Sequence, residues 1–368
     1  MTNHEFYMDL ALQNATAMKG QTDPNPLVGS VIVNDNRIVG VGTHLKAGEP
    51  HAEVHALRMA GEKAKGATIY VTLEPCSHHG RTGPCAEAIV QAGIKKVVIA
   101  TLDPNPIVAG NGVKILEGAG IEVVTGVREQ ESIQMNEVFN KFIVKKQPFV
   151  TMKAGVSLDG KVATHSFSSQ WITSEEARLD VHQLRNEHMA ILVGINTVLK
   201  DNPSLTTRIP NGRNPLRVIM DSSLRTPLDA NVVTDRQAET WIFTSKNVDE
   251  SKKQALEGHG VRVFMTSSEN TVNPNDVIAI LGEHLISSVF IEGGGNIHAT
   301  FLENELVDKV VLYFAPKLVG GKDAPTFLEG TGISDMADAI ELSDTDIEKI
   351  GKDFKFIGYP VYKTRGIS

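Results

Sequence analysis

The sequence predicts two consecutive α/β domains on one chain of 368 residues. Two observations carry this prediction. Apolar runs of strand length alternate with stretches of helical periodicity in both halves, which is the pattern of helix-flanked sheets. A long charged helical stretch then stops at Pro148 and the pattern restarts, so we expect domains at 1–147 and 148–368. No internal repeat relates the two halves.

The first half predicts a helix, a hairpin and then alternating strands and helices. Residues 5–19 have apolar side chains at helical spacing, and Gly20 ends that pattern. Two apolar segments around an Asn-Asp-Asn turn predict the hairpin. The elements expected next are a helix at 51–64, a strand at 67–73, a helix at 85–92, a strand at 95–101, a helix followed by a strand at 121–126, and one long helix at 128–147.

The second half repeats the alternation of strands and helices. A helix is expected from Ser174 to Asn186, after a loop that contains the SSQWITS segment. The segments that resemble buried strands begin at Phe149 and then cover 189–198, 216–221, 239–245 and 287–295.

A glycine-rich turn at 293–295 is the strongest local signal of this half. An apolar strand enters the three glycines and a helix follows, so backbone amides and the helix N-terminus can meet a phosphate group. The turn is not a GxGxxG fingerprint, because His298 stands where the third glycine would fall. The alternative interpretation is a turn selected for tight packing.

A candidate zinc site organises the first half. The chain has two cysteines, Cys76 and Cys85, and a His-Ala-Glu triplet begins at His51. Imidazole and thiolate are ligands that Zn²⁺ selects, and three protein ligands with one open position are typical of catalytic zinc. Glu53 would lie about 200° from His51 on a regular helix, so the two converge only where the chain enters a helix. Pro50 fits such an entry.

The order of these residues indicates a chemistry. A histidine ligand, a glutamate that is not a ligand, and a Pro-Cys followed by a second Cys form the signature of zinc-dependent base deaminases. Residues 77–82 are inserted relative to the usual PCxxC spacing and must form a loop beside the metal. Two alternatives are a pair of ordinary buried thiols and a structural zinc with His55, His78 or His79 as fourth ligand. We interpret His55 as a helix-face residue.

The amino-acid composition indicates the class of substrate and the cellular compartment to expect. The formal charge of −8 disfavours a nucleic-acid polyanion and favours a small molecule. Two cysteines cannot form a secreted disulfide framework, and no apolar run reaches the length of a membrane span. The N-terminal stretch does not resemble a signal peptide, so we expect a cytoplasmic protein.

The tetrapeptide Asp-Pro-Asn-Pro occurs twice, at 23–26 and 103–106. Two ordinary proline turns would explain it. Because both copies adjoin predicted core strands of the zinc domain, their side chains can alternatively line one pocket.

Taken together, the motifs resemble the bifunctional riboflavin biosynthesis deaminase/reductase family. They are TDPNPLVG, HAEVHAL, EPCSHHGRTGPC and DPNP in the first half, and KAGVSLDGK, SQWIT, DNPSLTTR and EGGG in the second. The resemblance covers residues 4–366. It implies a cytidine-deaminase-like three-layer domain followed by a dihydrofolate-reductase-like α/β domain. It also implies two steps: zinc-dependent deamination of 2,5-diamino-6-(5-phosphoribosylamino)pyrimidin-4(3H)-one, then NADPH-dependent reduction of the ribosyl chain to give 5-amino-6-(5-phosphoribitylamino)uracil.

The resemblance also implies roles for particular residues of the deaminase. His51, Cys76 and Cys85 would bind zinc, and Glu53 would shuttle protons. The residues expected to line the substrate pocket are Asn25, His44, His78, Arg81, Asp103 and Asn105. Arg81 stands where some relatives carry lysine, and the two cations differ in geometry.

For the reductase, the resemblance implies a cofactor set and a substrate set. The cofactor contacts would be Gly155, Trp171, Thr197, Asp201, Gly294, Gly295 and Asn296. The substrate contacts would be Lys153, Ser169, Arg185, Leu205, Arg208 and Glu292. Both arginines suit bidentate phosphate recognition. Thr244, Ser245 and Lys246 are candidates for the 2′-phosphate of NADPH, and Lys153, Asp201 and Glu292 are candidate proton donors to the opened sugar. Relatives also suggest a homo-oligomer.

Two competing hypotheses are kept. In one, the chain is a zinc deaminase with a non-catalytic nucleotide-binding C-terminal domain. In the other, the zinc is structural and the chain senses nucleotides. If bound NADPH is consumed, the C-terminal domain is catalytic and the deaminase-only hypothesis is wrong. If zinc removal abolishes catalysis, the zinc is not merely structural and the nucleotide-sensor hypothesis is wrong.

Overall fold

The structure is a computed structural model that describes residues 3–77, 83–105 and 109–363. The predicted residues His78 and Arg81 lie outside these ranges. The chain divides into two compact units, residues 1–146 and 147–368, each with its own sheet. Within the described residues, no helix combines the length and apolar character that a bilayer crossing requires.

The described residues of the first unit form five strands and six α-helices. The strands are β1 Gly29–Asn34, β2 Arg37–Thr43, β3 Thr68–Leu73, β4 Lys96–Thr101 and β5 Glu122–Thr125. The helices are α1 Asn3–Thr16, α2 Ala52–Ala60, α3 Cys85–Gln91, α4 Asn111–Gly118, α5 Glu129–Met135 and α6 Glu137–Lys145.

The sheet of this unit has the order β2-β1-β3-β4-β5. Strands β1 and β2 form the predicted antiparallel hairpin, while β3, β4 and β5 are parallel. One apolar cluster packs α2, α3 and α4 on one face of the sheet, and a second cluster packs α1 on the other. The predicted three-layer arrangement is therefore confirmed.

The prediction of one long helix at 128–147 is wrong. The structure has two helices, α5 and α6, which meet at Asn136. Asn136 has φ −103° and ψ 21°, and its side chain is buried against the backbone of Leu27. Helical periodicity continues through the break, so the sequence pattern gave no sign of it.

Nine strands and six α-helices lie in the part of the second unit that the structure describes. The strands are β6 Phe149–Ser157, β7 Ala190–Gly194, β8 Leu216–Met220, β9 Thr240–Thr244, β10 Arg262–Met265, β11 Ser288–Ile291, β12 Lys309–Ala315, β13 Glu341–Ile350 and β14 Asp353–Val361. The helices are α7 Glu175–Glu187, α8 Ile195–Asp201, α9 Asn231–Thr234, α10 Glu250–Gly258, α11 Pro274–Glu283 and α12 Gly295–Glu303.

Its nine-stranded sheet has the order β10-β9-β8-β7-β11-β6-β12-β14-β13. The first seven strands in this order are parallel, and β14 and β13 are antiparallel additions at one edge. Apolar clusters on both faces include residues of α11 and α12 on one side and of α7, α8 and α10 on the other. The predicted α/β architecture is confirmed for this unit too.

Two features of the second unit differ from expectation. The predicted strand at 189–198 ends at Gly194, and α8 begins at the next residue. The apolar residues of α8 continue the strand-like run, so periodicity did not separate the two elements. The C-terminal strands β12, β13 and β14 were not predicted; β13 is largely exposed and its sequence is too polar to show strand alternation.

Candidate active sites

A candidate metal centre lies where three chain segments of the first unit meet. His51 is the N-cap of α2, with φ −74° and ψ 164°, and Cys85 is the first residue of α3. Cys76 follows the end of β3. His51 Nδ1 lies 3.2 Å from Cys85 Sγ and 3.6 Å from Cys76 Sγ, and all three ligand atoms lie within 4.8 Å of one another.

These distances fit zinc. A tetrahedral ion with usual Zn–N and Zn–S bond lengths places its nitrogen and sulfur ligands about 3.5 Å apart. The Cys85 thiol, together with the Cys85 backbone N–H 3.3 Å away and the nearby His51 ring, lowers the pKa of Cys76 to about 4. Among the described residues, the one cluster of three or more possible ligands is His51, Cys76 and Cys85, which does not include His55. Two thiolates and an imidazole are a three-ligand set of the kind that catalytic zinc sites use.

Glu53 lies beside this centre without belonging to the ligand cluster. It follows His51 at the second helical position of α2, and its side chain is 3% exposed. Burial raises the pKa of its carboxyl to about 7. Its Oε2 atom has no hydrogen-bond partner within the described residues. A carboxyl with such a pKa can both accept and donate a proton near neutral pH.

Two glycines of β2 allow α2 to approach the sheet closely. A Cβ atom on Gly42 would lie 2.1 Å from the carbonyl oxygen of Ala52 and 2.5 Å from the Ala56 nitrogen. A Cβ atom on Gly40 would lie 2.3 Å from the carbonyl oxygen of Ala56. These glycines therefore set the position of the helix that carries His51 and Glu53.

The structure brings Asn25 and His44 together next to the metal centre. Asn25 Nδ2 lies 3.1 Å from His44 Nε2, and His44 Nδ1 lies 3.3 Å from the Pro50 carbonyl. The ring centroids of His44 and His51 are 5.5 Å apart. Burial lowers the pKa of His44, which favours a neutral ring that donates from Nδ1 and accepts from Asn25.

Asp103 and Asn105 occupy one turn, where the Asn105 N–H donates to Asp103 Oδ1 at 2.8 Å. Glu74, which sequence analysis missed, holds this segment. Its carboxylate accepts from Asp103 N at 3.2 Å, Gly110 N at 3.0 Å, Gly112 N at 2.8 Å and Val113 N at 3.3 Å. Three of these donors belong to the N-terminal turn of α4, where a carboxylate is favoured. The sequence feature that could have identified Glu74 is its position directly before the Pro-Cys pair that carries the zinc ligand Cys76.

The second unit contains a cavity of about 1880 Å³. All thirteen cofactor and substrate positions expected for the reductase line it. They are Lys153, Gly155, Ser169, Trp171, Arg185, Thr197, Asp201, Leu205, Arg208, Glu292, Gly294, Gly295 and Asn296. The glycine turn leads from β11 into α12, as the sequence predicted.

A buried ion cluster forms one wall of the cavity. Glu292 pairs with Arg185 through two contacts, Nε to Oε1 and NH2 to Oε2, and with Lys153 Nζ at 3.3 Å. Burial opposes ionisation of Glu292, but the charges of Arg185 and Lys153 outweigh it and lower the pKa of the carboxyl to about 2. Glu292 is therefore ionised at neutral pH and does not fit the expected role of proton donor.

Arg185 differs from its expected role as well. Its guanidinium pairs with Glu292 and also donates to the Thr206 carbonyl at 2.8 Å. Because all three guanidinium nitrogens already have partners, Arg185 is not available for bidentate binding of phosphate. Arg208 is exposed at the cavity and makes no ion pair within the described residues. Of the two arginines, Arg208 suits an anionic ligand.

Three further positions, Trp171, Thr244 and Ser245, can be compared with their expected roles as cofactor contacts. Trp171 is 59% exposed at the cavity, with the Arg178 guanidinium 4.4 Å from its ring centroid. Thr244 and Ser245 are buried and donate to the Ser222 carbonyl at 3.1 Å and 2.8 Å. Neither hydroxyl lines the cavity, so they do not fit the expected 2′-phosphate contact.

Two family profiles match the chain. The RibD C-terminal domain matches residues 148–356, and the cytidine and deoxycytidylate deaminase zinc-binding region matches residues 1–101. The chain is 50% identical to the riboflavin biosynthesis protein RibD of Bacillus amyloliquefaciens over 97% of this chain and 96% of that protein. It is 42% identical to RibD of Escherichia coli K12 over 95% of this chain and 97% of that protein.

Solved structures agree with the sequence comparison. A structure of Acinetobacter baumannii RibD is 38% identical and superposes with a TM-score of 0.86 over 98% of this chain and 99% of that one. The diaminohydroxyphosphoribosylaminopyrimidine deaminase/5-amino-6-(5-phosphoribosylamino)uracil reductase of Thermotoga maritima is 37% identical, with a TM-score of 0.85 over 97% and 99% of the two chains. The chain therefore belongs to the RibD family of riboflavin biosynthesis, whose members join a deaminase domain and a reductase domain on one polypeptide.

Proposed function

We propose that residues 1–147 deaminate 2,5-diamino-6-(5-phosphoribosylamino)pyrimidin-4(3H)-one and that residues 148–368 reduce the product with NADPH. The observation that supports this proposal is the presence of two candidate sites on one chain. The first unit has a His-Cys-Cys cluster beside a buried carboxyl, and the second has a large cavity with a glycine turn and an ion cluster.

In the deaminase step, His51, Cys76 and Cys85 would hold zinc, which would supply the Lewis acidity that activates water for hydrolysis. Glu53, which is buried beside the ligand cluster with an Oε2 atom unpaired among the described residues, would take a proton from the attacking water and deliver it to the departing amine. His44, kept neutral by burial, orients the Asn25 amide towards the substrate.

In the reductase step, the cavity is large enough to hold a dinucleotide and a sugar phosphate together. The backbone turn at 293–295 and the N-terminus of α12 line this cavity and would bind the phosphates of the cofactor. Glu292 pairs with Lys153 and positions it at the cavity wall, where its side chain would donate a proton to the opened sugar. NADPH held in the same cavity would supply the hydride to C1′. A homo-oligomer stays a prediction from the resemblance, and a cytoplasmic location stays a prediction from the composition and the N-terminal stretch.

The test combines both substrates in one reaction. Zinc-loaded protein is given the diaminopyrimidinone ribosyl phosphate and NADPH, and ammonia release and NADPH oxidation are recorded together. We expect equal final amounts, with oxidation lagging behind release. Ammonia without oxidation would favour a deaminase with a non-catalytic nucleotide-binding domain.

A variant pair assigns the first step. Glu53→Gln should abolish ammonia release while zinc content and reduction of the deaminated substrate are retained. Glu62→Gln, an exposed change in the same unit, is the control and should leave both activities intact. Ammonia release that survives in Glu53→Gln would contradict the proposed role of Glu53.

A further inference from the structure

His182 is a cavity residue to which the sequence analysis assigned no role. It lies on α7, between Arg178 and Arg185, at spacings of four and three residues. Residues at these spacings share one face of a helix, and all three line the cavity. The imidazole of His182 is therefore presented to the same space as the ion cluster of Glu292, Arg185 and Lys153.

The His182 ring makes no hydrogen bond within the described part of the chain. Its Nδ1 atom is fully buried, which leaves Nε2 as the nitrogen that a molecule in the cavity can reach. Buried polar atoms in native proteins are normally paired, and an unpaired one calls for a ligand or another specific explanation. The unpaired ring thus points to a ligand contact through Nε2.

The surroundings of His182 set its protonation. Burial lowers the pKa of His182 to about 4, and the nearby charges of Arg185, Arg208 and Lys153 act in the same direction, while Glu292 opposes them. The ring is therefore neutral at pH 7, with one N–H donor and one lone-pair acceptor. A proton on Nε2 leaves a lone pair on the buried Nδ1 and avoids a buried N–H without an acceptor. Nε2–H then faces the cavity as a donor.

We propose that His182 donates a hydrogen bond from Nε2 to the phosphate group of the reductase substrate and so positions that substrate beside Arg208. Arg208 is an exposed arginine at this cavity, whereas the Arg185 guanidinium is already paired with Glu292. One guanidinium and one neutral imidazole donor suit a phosphate dianion. This inference deepens the proposed function of the second unit and rests on it.

Substitution by phenylalanine tests the contact, because it keeps a ring and removes both nitrogens. We expect His182→Phe to raise the KM of reduction about tenfold for the deaminated ribosyl phosphate, the effect of losing one charge-assisted hydrogen bond. The dephosphorylated analogue should lose no more than about twofold in kcat/KM, and NADPH affinity and ammonia release should not change. His182→Gln keeps an N–H donor and should recover most of the KM. Gln183→Ala, a change at an exposed neighbour, is the control.

Binding of ribose 5-phosphate, measured by calorimetry, gives a readout that does not depend on turnover. We expect His182→Phe to weaken this binding about tenfold and to leave the binding of ribose unchanged. Equal losses for the phosphorylated and dephosphorylated ligands, or no loss for either, would overturn the assignment. Wild-type protein that binds ribose 5-phosphate but never oxidises NADPH would instead overturn the proposed reduction, and the calorimetric comparison would still decide the role of His182.

Discussion

The side chain of Asn136 pairs with the backbone of Leu27 through two hydrogen bonds. The Leu27 N–H donates to Oδ1 at 2.8 Å, and Nδ2 donates to the Leu27 carbonyl at 3.0 Å. Asn136 is 3% exposed and stands where α5 ends and α6 begins. One buried amide therefore ends a helix and fixes the backbone two residues after Asn25.

Asn136→Leu should destabilise the first unit. It leaves the Leu27 N–H and carbonyl buried without partners, so we expect a loss of about 2–4 kcal/mol in unfolding free energy. The measurement is zinc release to a chromogenic chelator during urea unfolding. Gln134→Ala, an exposed change on the preceding turn, should shift this transition by less than about 0.5 kcal/mol. An unchanged midpoint in Asn136→Leu would mean that the pair contributes nothing to stability.

Gly42→Ala should impair the deaminase through the position of α2. The new Cβ would overlap the carbonyl oxygen of Ala52, so helix and strand must separate, at a cost of about 1–3 kcal/mol. We expect slower ammonia release and weaker zinc binding, with reduction of the deaminated substrate retained. Gly118→Ala adds the same atom where nothing lies within 4 Å and should be neutral. Equal behaviour of the two variants would show that close approach at Gly42 is not required.

Cys85→Ser should remove zinc and ammonia release together. The three-ligand cluster loses a thiolate, and the remaining pair of ligands cannot complete a zinc site. Metal analysis of the purified protein and an ammonia assay measure the two effects. His55→Gln should keep zinc, because His55 lies outside the cluster. The structural-zinc hypothesis predicts two different results: His55→Gln would lose zinc, and the wild-type protein would release no ammonia.

The Glu292 cluster should make the second unit sensitive to acid. Its pKa of about 2 lies below the ordinary carboxyl value, so its stabilising effect is present above about pH 4.5 and is lost as the pH falls towards 2. Unfolding of this unit can be followed separately, because both tryptophans of the chain, Trp171 and Trp241, belong to it. Between pH 5 and pH 3, the wild type should lose more stability than Glu292→Gln. Parallel losses would show that Glu292 does not carry the acid response.

The zinc-site residues and the α/β class of both units could be predicted from the sequence, because the patterns that indicate them are local. His51, Glu53, Cys76 and Cys85 are few and chemically specific, and zinc accepts few other ligand types. The proline at the helix entry already indicated how His51 and Glu53 converge. The alternation of strands and helices likewise fixed the α/β class of both units, since each buried element must show its own periodicity.

Tertiary structure decided what depends on distant partners. No local pattern shows that Asn136 pairs with Leu27, that Glu74 holds the turn of Asp103, or that Arg185 faces Glu292 instead of phosphate. Each of these groups is polar, and its role is set by the group it meets when burial removes water. The sequence by itself thus determined the chemistry and the order of the two units, and only the folded chain determined which polar groups hold the sites in place and which, such as His182, remain open to a ligand.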